Sequence, residues 1–193
     1  MIISVTSLKG GVGQPSVPFS LNPDGAFGIG LKVGRRSFDL TLIDFVGNVR
    51  ATLHEFCDYP TVDGLLNFLK KGITALTLSL SREYADRIKG LGIASPHEIW
   101  GWAEEAGAPI EALNEWKEFD FNKRISEVFE LPIYICNDDT SACSAELSFG
   151  NPGGFSNFLY SRTSFYEFDN NFTTPQTPNN FAGFATGEST AML

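Results

Sequence analysis

The stretch that most constrains the fold is Glu130 to Gly150, ELPIYICNDDTSACSAELSFG. Leu131 to Cys136 is a short apolar run, opened by Pro132 and rich in β-branched and aromatic residues, which predicts a buried strand. Asn137 and Asp138 follow at once. Asp139-Thr140-Ser141 can then cap a helix whose small residues, Ala142, Cys143, Ser144 and Ala145, allow close packing. A strand ending in Asn-Asp at a helix mouth puts an amide and a carboxylate at the carboxyl edge of a sheet, where open α/β sheets bind ligands. Such a pair can donate to and accept from neighbouring hydroxyls, which suits a polyol or sugar. The residues leave a second reading open, in which Asp138 or Asp139 only caps the helix.

The strand in this stretch needs a sheet to join, and the first half of the chain supplies one. Asn22-Pro23-Asp24-Gly25 is a turn signal, followed by the apolar segment Ala26 to Val33. Phe38 to Phe45 alternates apolar and polar residues, Gly47-Asn48 marks a turn, and Val49 to Phe56 reads as a third strand. Three strands with tight turns predict an antiparallel meander. Thr61 opens a helix with Leu65, Leu66, Phe68, Leu69, Ile73 and Leu76 on one face, reaching about Leu80. Ile88 to Ala94 is a short strand closed by Ser95-Pro96. Glu98 to Ala106 and Asn122 to Phe129 are helical, with Trp100 and Trp102 partly exposed. Phe155 to Tyr160 is one more strand.

At 193 residues the chain suits one domain, or one and a fraction. Its net charge of −9 argues against nucleic-acid binding by this chain, because phosphate contacts need clustered Lys and Arg. Cys57, Cys136 and Cys143 have no metal-ligand spacing and read as buried small hydrophobes in a reducing cytosol. His54 and His97 are far apart, and neither has a companion ligand. With no run of about 18 apolar residues, and with Met1 to Leu8 lacking a basic n-region and too short for a signal peptide, a cytoplasmic soluble protein is expected. From Ser161 to Leu193 more than half the residues are Ser, Thr, Asn, Gln, Pro or Gly, with no Ile or Val. That composition predicts a disordered tail.

Lys9 to Ser16, KGGVGQPS, follows a β-like run and imitates the loop of a partition-type ATPase. The chemistry is missing. A phosphate-binding loop needs a Lys after its last Gly and then a hydroxyl for Mg²⁺, and those places hold Gln14 and Pro15. A linker is the expectation there.

The order of strands and helices resembles one lobe of an actin-like (RNase H-like) ATPase, an α/β fold whose mixed sheet opens with a three-strand meander. Particular residues resemble the ROK family, which contains sugar kinases and sugar-responsive transcriptional repressors. Gly90 to Pro96 sits where that family shows a Gly-rich strand ending in Pro-Gly, with His97 in place of the Gly. Glu115-Trp116-Lys117 resembles its Trp before the sugar-site strand, and Leu131 to Ala142 resembles its Pro-Val strand, Asn-Asp pair and small-residue helix. The resemblance implies that Asn137 and Asp138 contact sugar hydroxyls, and that in a kinase Asp138 would be the general base. ROK kinases carry Gly-Ile-Asp-Ile-Gly-Gly-Thr in the first hairpin. Here the match is Gly30-Leu31-Lys32-Val33-Gly34-Arg35-Arg36-Ser37, with Lys32 in place of the metal-binding Asp. Gly34, Arg35, Arg36 and Ser37 therefore form a degenerate phosphate site, and Gly-Arg-Arg-Ser resembles the repressor branch.

The resemblance covers about Gly10 to Tyr160 and implies three regions: 1–24, a wing remnant (Ile2 to Leu8) and linker; 25–160, the amino-terminal lobe; and 161–193, the biased tail. Neither the family's helix-turn-helix nor its second lobe has a counterpart here, so a truncated or frame-disrupted relative is expected. The implied function is sugar sensing without phosphorylation, with no cofactor, no membrane partner, and DNA contacted only through the helix-turn-helix module. Self-association through the uncovered lobe face is a further expectation. The alternatives are an ATP- and Mg-dependent ROK sugar kinase, or a non-functional gene fragment.

Overall fold

Alternation along the first strands dictates which face is buried. The structure, a computed structural model, describes residues 20–150, 157–162 and 181–186. In β1 (Phe27–Val33), Phe27, Ile29, Leu31 and Val33 are buried, while Gly28, Gly30 and Lys32 take the opposite face. β2 (Ser37–Asp44) runs antiparallel to it, with Val33 opposite Phe38, Leu31 opposite Leu40 and Ile29 opposite Leu42. β3 (Val49–Phe56) completes the meander and sets Leu53 against Leu40 and Ala51 against Leu42. One face of the sheet is thus a continuous apolar layer. Burying each such Leu contributes about 1.5–3 kcal/mol.

That layer is covered by α1 (Val62–Ser79), whose Thr61 cap accepts from Gly64 N–H at 3.0 Å. Val62, Leu65, Phe68, Leu69, Gly72 and Leu76 form its buried stripe. A Cβ at Gly72 would lie 2.7 Å from Leu40 Cδ2, so the absent side chain sets how closely α1 approaches β2. A short helix, α2 (Arg82–Ala85), leads into β4 (Ile88–Ser95), which pairs parallel with β1, Gly30 facing Gly92 and Leu31 facing Ile93. Three antiparallel strands plus one parallel crossover make the sheet mixed; with β5 (Ile133–Asn137) its order is β3-β2-β1-β4-β5.

The second crossover is built of short pieces. Glu98 to Ala106 is helical as expected, but it opens as a 3₁₀ turn over Ile99–Trp102 before α3 (Ala103–Ala106). Trp100 is half-buried, and the expected exposure of Trp102 falls outside the described side chains. α4 (Ile110–Asn114), a 3₁₀ turn (Glu115–Glu118) and α5 (Phe121–Ser126) follow. Trp116 is buried, and its indole N–H donates to the Pro60 carbonyl at 2.9 Å, tying this crossover to the entry of α1.

β5 (Ile133–Asn137) corrects one expectation. It is an edge strand rather than a buried one: Tyr134 is 55% and Ile135 41% exposed, and Cys136 is exposed too. The apolar run is a strand because its residues favour extended backbone. Its burial depends on its place in the sheet order, which composition does not specify. Cys143 is buried as expected, and Cys57 is half-buried.

The chain divides into two compact units, Met1–Ile135 and Cys136–Leu193. The second holds α6 (Asp138–Ala145), a π-helical turn over Glu146–Gly150, and an antiparallel pair of β6 (Asn157–Arg162) with β7 (Phe181–Thr186). β7 thus lies inside the segment whose composition suggested disorder. Aromatic and Thr residues give Phe181–Thr186 the strand preference that the surrounding polar tract lacks. The rest of the expected disordered tail, and the expected wing remnant at Ile2 to Leu8 with the linker up to residue 19, fall outside the described residues.

The buried carboxylate at the end of β2 is the polar fixture of the meander. Asp44 occupies a core-facing register opposite Phe27, and its side chain is 1% exposed. It accepts from Val46 N–H (3.1 Å), Asn48 N–H (2.9 Å), the Asn48 amide (3.1 Å) and Arg50 Nε (2.9 Å), while Arg50 also pairs with Asp24. Burial by itself would raise the Asp44 carboxyl, but the Asn48 side-chain and main-chain bonds, the Val46 bond and Arg50 outweigh it and hold it below its ordinary value. A depressed carboxyl contributes stability that is complete above the unfolded value of about 4 and is lost as pH falls through the lowered one. Urea midpoints followed from about pH 5 down to about pH 2 should therefore fall more steeply for the wild type than for Asp44→Asn. Parallel slopes would remove Asp44 from the account of acid unfolding.

Candidate functional site

α6 begins earlier than the cap at Asp139-Thr140-Ser141 that the sequence suggested. Asn137, at φ −60° and ψ 143°, is its N-cap, and Asn137 Oδ1 accepts from Asp139 N–H at 3.0 Å and Thr140 N–H at 3.2 Å. Asp139-Thr140-Ser141 is therefore within the first turns and is not the cap. Four neighbouring residues, Asn137 to Thr140, could each have capped. Asn137 does so because it is the last to keep extended backbone, leaving Asp138 and Asp139 in the first turn, where carboxylates oppose the positive end of the helix dipole.

Capping fixes the pair that the sequence singled out. With Oδ1 committed to the helix, the Asn137 amide donates to Asp138 Oδ1 at 3.3 Å. Both side chains are half-buried, and Asp139 is buried at 9% exposure. The result is a carboxylate held in place by an amide at the mouth of a helix. Such a carboxylate can accept hydrogen bonds from ligand hydroxyls.

The second group of predicted residues is the β1–β2 turn. Gly34 N–H donates to the Ser37 carbonyl at 2.8 Å, and a Cβ at Gly34 would meet Ser37 O and Oγ at 3.0 Å each, so a side chain there would push the turn open. The Arg36 carbonyl accepts from Cys57 N–H at 2.9 Å, joining the turn to the end of β3. Arg36 is exposed, and Arg35 is half-buried. Lys32, exposed on β1, lies in register with Asp39 of β2, which lies in register with His54 of β3. The Asp39 carboxylate pairs with His54 Nδ1 and accepts from Ser37 Oγ at 3.5 Å. His54 thus has a carboxylate companion that spacing in the sequence did not reveal, because the partners are brought together only by cross-strand register.

No cluster of three or more His, Cys, Asp or Glu side chains that could hold a metal occurs among the described residues. Among them, too, no helix is long and apolar enough to cross a membrane. The turn group belongs to the first compact unit, and Asn137 with Asp138 belongs to the second.

The sequence model of the ROK family matches residues 28–164. The chain belongs to the ROK family. Comparison with curated protein sequences returned no match. Among solved structures, a ROK family glucokinase from Streptomyces griseus in complex with glucose and AMPPNP superposes with a TM-score of 0.57 at 15% identity, covering 85% of this chain and 46% of that one. A glucokinase from Parabacteroides distasonis gives a TM-score of 0.53 at 15% identity, covering 85% of this chain and 45% of that one. A ROK family transcriptional regulator, homologous to the E. coli MLC protein, gives 0.53 at 19% identity, covering 76% and 36%. This ROK chain spans less than half the length of each of them. At these identities the likeness establishes the fold, and it is shared by kinases and a regulator alike.

The cysteines of this ROK lobe should differ sharply in reactivity. Burial, reinforced by the negative charges of Glu55 and Asp58, pushes the Cys57 thiol up to about 11. The thiolate is the nucleophile, so at about pH 8 Cys57 is almost wholly unreactive. Alkylation with iodoacetamide under native conditions, followed by peptide mass spectrometry, should label exposed Cys136 first and leave Cys57 and buried Cys143 unmodified. Labelling of Cys57 at the Cys136 rate would contradict this ordering.

Proposed function

We propose that the chain is the sugar-sensing lobe of a ROK transcriptional regulator and does not phosphorylate its ligand. The observation that carries this reading is the chemistry of the first hairpin. Phosphoryl transfer rests on metal ions held by carboxylates beside the transferring group. Here a lysine, Lys32, takes that position on β1, and two arginines follow in the turn. The carboxylate across from Lys32, Asp39, is engaged by His54. A hairpin of this composition can attract an anion through Arg35 and Arg36, but it offers no metal carboxylate at the family's position.

Sugar recognition falls to Asn137 and Asp138. An amide donor and a fixed carboxylate match the alternating donors and acceptors of adjacent sugar hydroxyls. In an intact regulator, sugar closing on this lobe would bias a two-state equilibrium felt by a DNA-binding head. The lobe proposed for this role is 25–160. A thermal-shift screen against common mono- and aminosugars, run beside a coupled ATPase assay on the same sugars, tests the reading. The expected result is a sugar-dependent rise in melting temperature, since a ligand that binds only the folded state stabilises it, with no ATP turnover. Sugar-dependent turnover would instead assign a kinase with Asp138 as general base. No response to any sugar would reject sensing by this chain.

A further inference from the structure

Asp24 is held from two sides. It lies in a 3₁₀ turn over Pro23–Gly25, through which the chain enters β1, and Gly25 is buried. On one side its carboxylate pairs with Arg50 of β3, whose Nε donates to the buried Asp44 carboxylate at 2.9 Å. On the other its carbonyl accepts from Arg87 Nη1 at 2.9 Å, and Arg87 Nη2 donates to Glu83 of α2 at 2.8 Å. Each arginine thus bridges Asp24 to a carboxylate on a different element. The same two arginines close a stack of rings. Arg50 lies over Phe27 at 5.8 Å, the Phe27 and Tyr84 rings are 6.0 Å apart, and Arg87 lies over Tyr84 at 4.8 Å. Stacking on aromatic faces restrains the guanidinium groups, so both meet Asp24 already oriented.

The backbone of the turn is fastened as well. Asn22 Oδ1 accepts from Asp24 N–H at 3.1 Å, and the Asn22 carbonyl accepts from Gly25 N–H at 2.9 Å. The Pro23 carbonyl accepts from Phe45 N–H at 3.0 Å, just past the end of β2. An isolated surface ion pair contributes little. Here one arginine is anchored by a carboxylate that is 1% exposed, and bonds from three separate elements converge on successive residues. Contacts that share members in this way form and break together.

From this we propose that Asp24 is the keystone of a clasp, and that residues 22–25 open and close as one unit apart from the sheet. Closed, the clasp fixes where the chain ahead of Asn22 leaves the amino end of β1. Opening spares the β1–β2 ladder, which starts at Phe27 opposite Asp44 and draws no pairing from the turn. The clasp stands without the proposed function. Under that reading it becomes the joint between the lobe and a preceding DNA-binding head in an intact regulator.

Hydrogen exchange of the full chain, followed residue by residue by NMR, tests this. Asp24→Asn keeps the carbonyl and the N–H, removes the charge facing Arg50, and leaves every bond to Asp44 in place. The Gly25 and Phe45 amides lie on different elements. Both should exchange about tenfold or more faster, by a common factor, while amides of the β1–β2 ladder keep their wild-type rates. Arg87→Met cuts the other arm and should accelerate the same two amides; if either variant does not fold, the other carries the test. Unchanged exchange of both amides, unequal acceleration of the two, or acceleration spread across the ladder would each overturn the proposal.

Discussion

Trp116→Ala should be the most destabilising single change in the first unit, removing about 3–5 kcal/mol, the usual cost of deleting a buried aromatic. The ring is buried and packs edge-to-face with Phe119 at 5.2 Å, with Phe121 5.8 Å away. Phe119 and Phe121 are themselves edge-to-face at 4.8 Å, so the three rings hold one another. Alanine would leave a cavity in that cluster and also strip the Pro60 carbonyl of its indole donor. Since a domain of this kind has only about 5–15 kcal/mol to lose, the variant should be near its unfolding threshold. Trp116→Phe separates the two contributions. It keeps most of the packing and orphans the carbonyl, so it should cost about 1–3 kcal/mol. Urea midpoints of both variants decide the matter. Equal costs would assign the whole loss to the hydrogen bond, and a negligible cost for alanine would mean that the cluster does not hold the crossover to α1.

Much of this architecture could be read in the chain. The alternation Phe38, Leu40, Leu42 and the turn at Gly47-Asn48 specify a half-buried meander locally, and Thr61 before Leu65 announces the helix start. These signals survive because each is made by neighbours in sequence. What was missed depends on neighbours in space. The burial of a strand such as β5 depends on the sheet order, so an apolar run reads as core even when it lies at an edge. The His54–Asp39 pair exists only through register. Asp44 sits where alternation calls for an apolar side chain, and the groups that satisfy it come from the turn and from Arg50. α2 and α4, of four and five residues, are too short to show a helical period. Of the candidate site, a strand running into a helix at Asn137 and Asp138 was legible, but the division of labour between these two residues was not. Asn, Asp, Asp and Thr in succession can all cap, and only backbone conformation assigns the cap to Asn137.

That division of labour predicts how three substitutions should separate folding from binding. Asn137→Ala loses the cap acceptor for two backbone N–H groups and should cost about 0.5–2 kcal/mol, with loss of any sugar response. Asn137→Asp keeps an acceptor at the cap, so stability should be nearly retained. It replaces the amide donor beside Asp138 with a second negative charge and should still abolish the response. Asp138→Asn preserves shape and removes the carboxylate, with a stability cost of no more than about 1 kcal/mol from the first turn of the helix. It should eliminate the sugar-dependent rise in melting temperature completely. The three together discriminate sharply. If Asp138→Asn keeps the full sugar response, the carboxylate is not the hydroxyl acceptor, and Asn137 with Asp138 is a helix start and nothing more. If all three lose the response while only Asn137→Ala loses stability, one amide is both fastening the helix and orienting the carboxylate that meets the ligand.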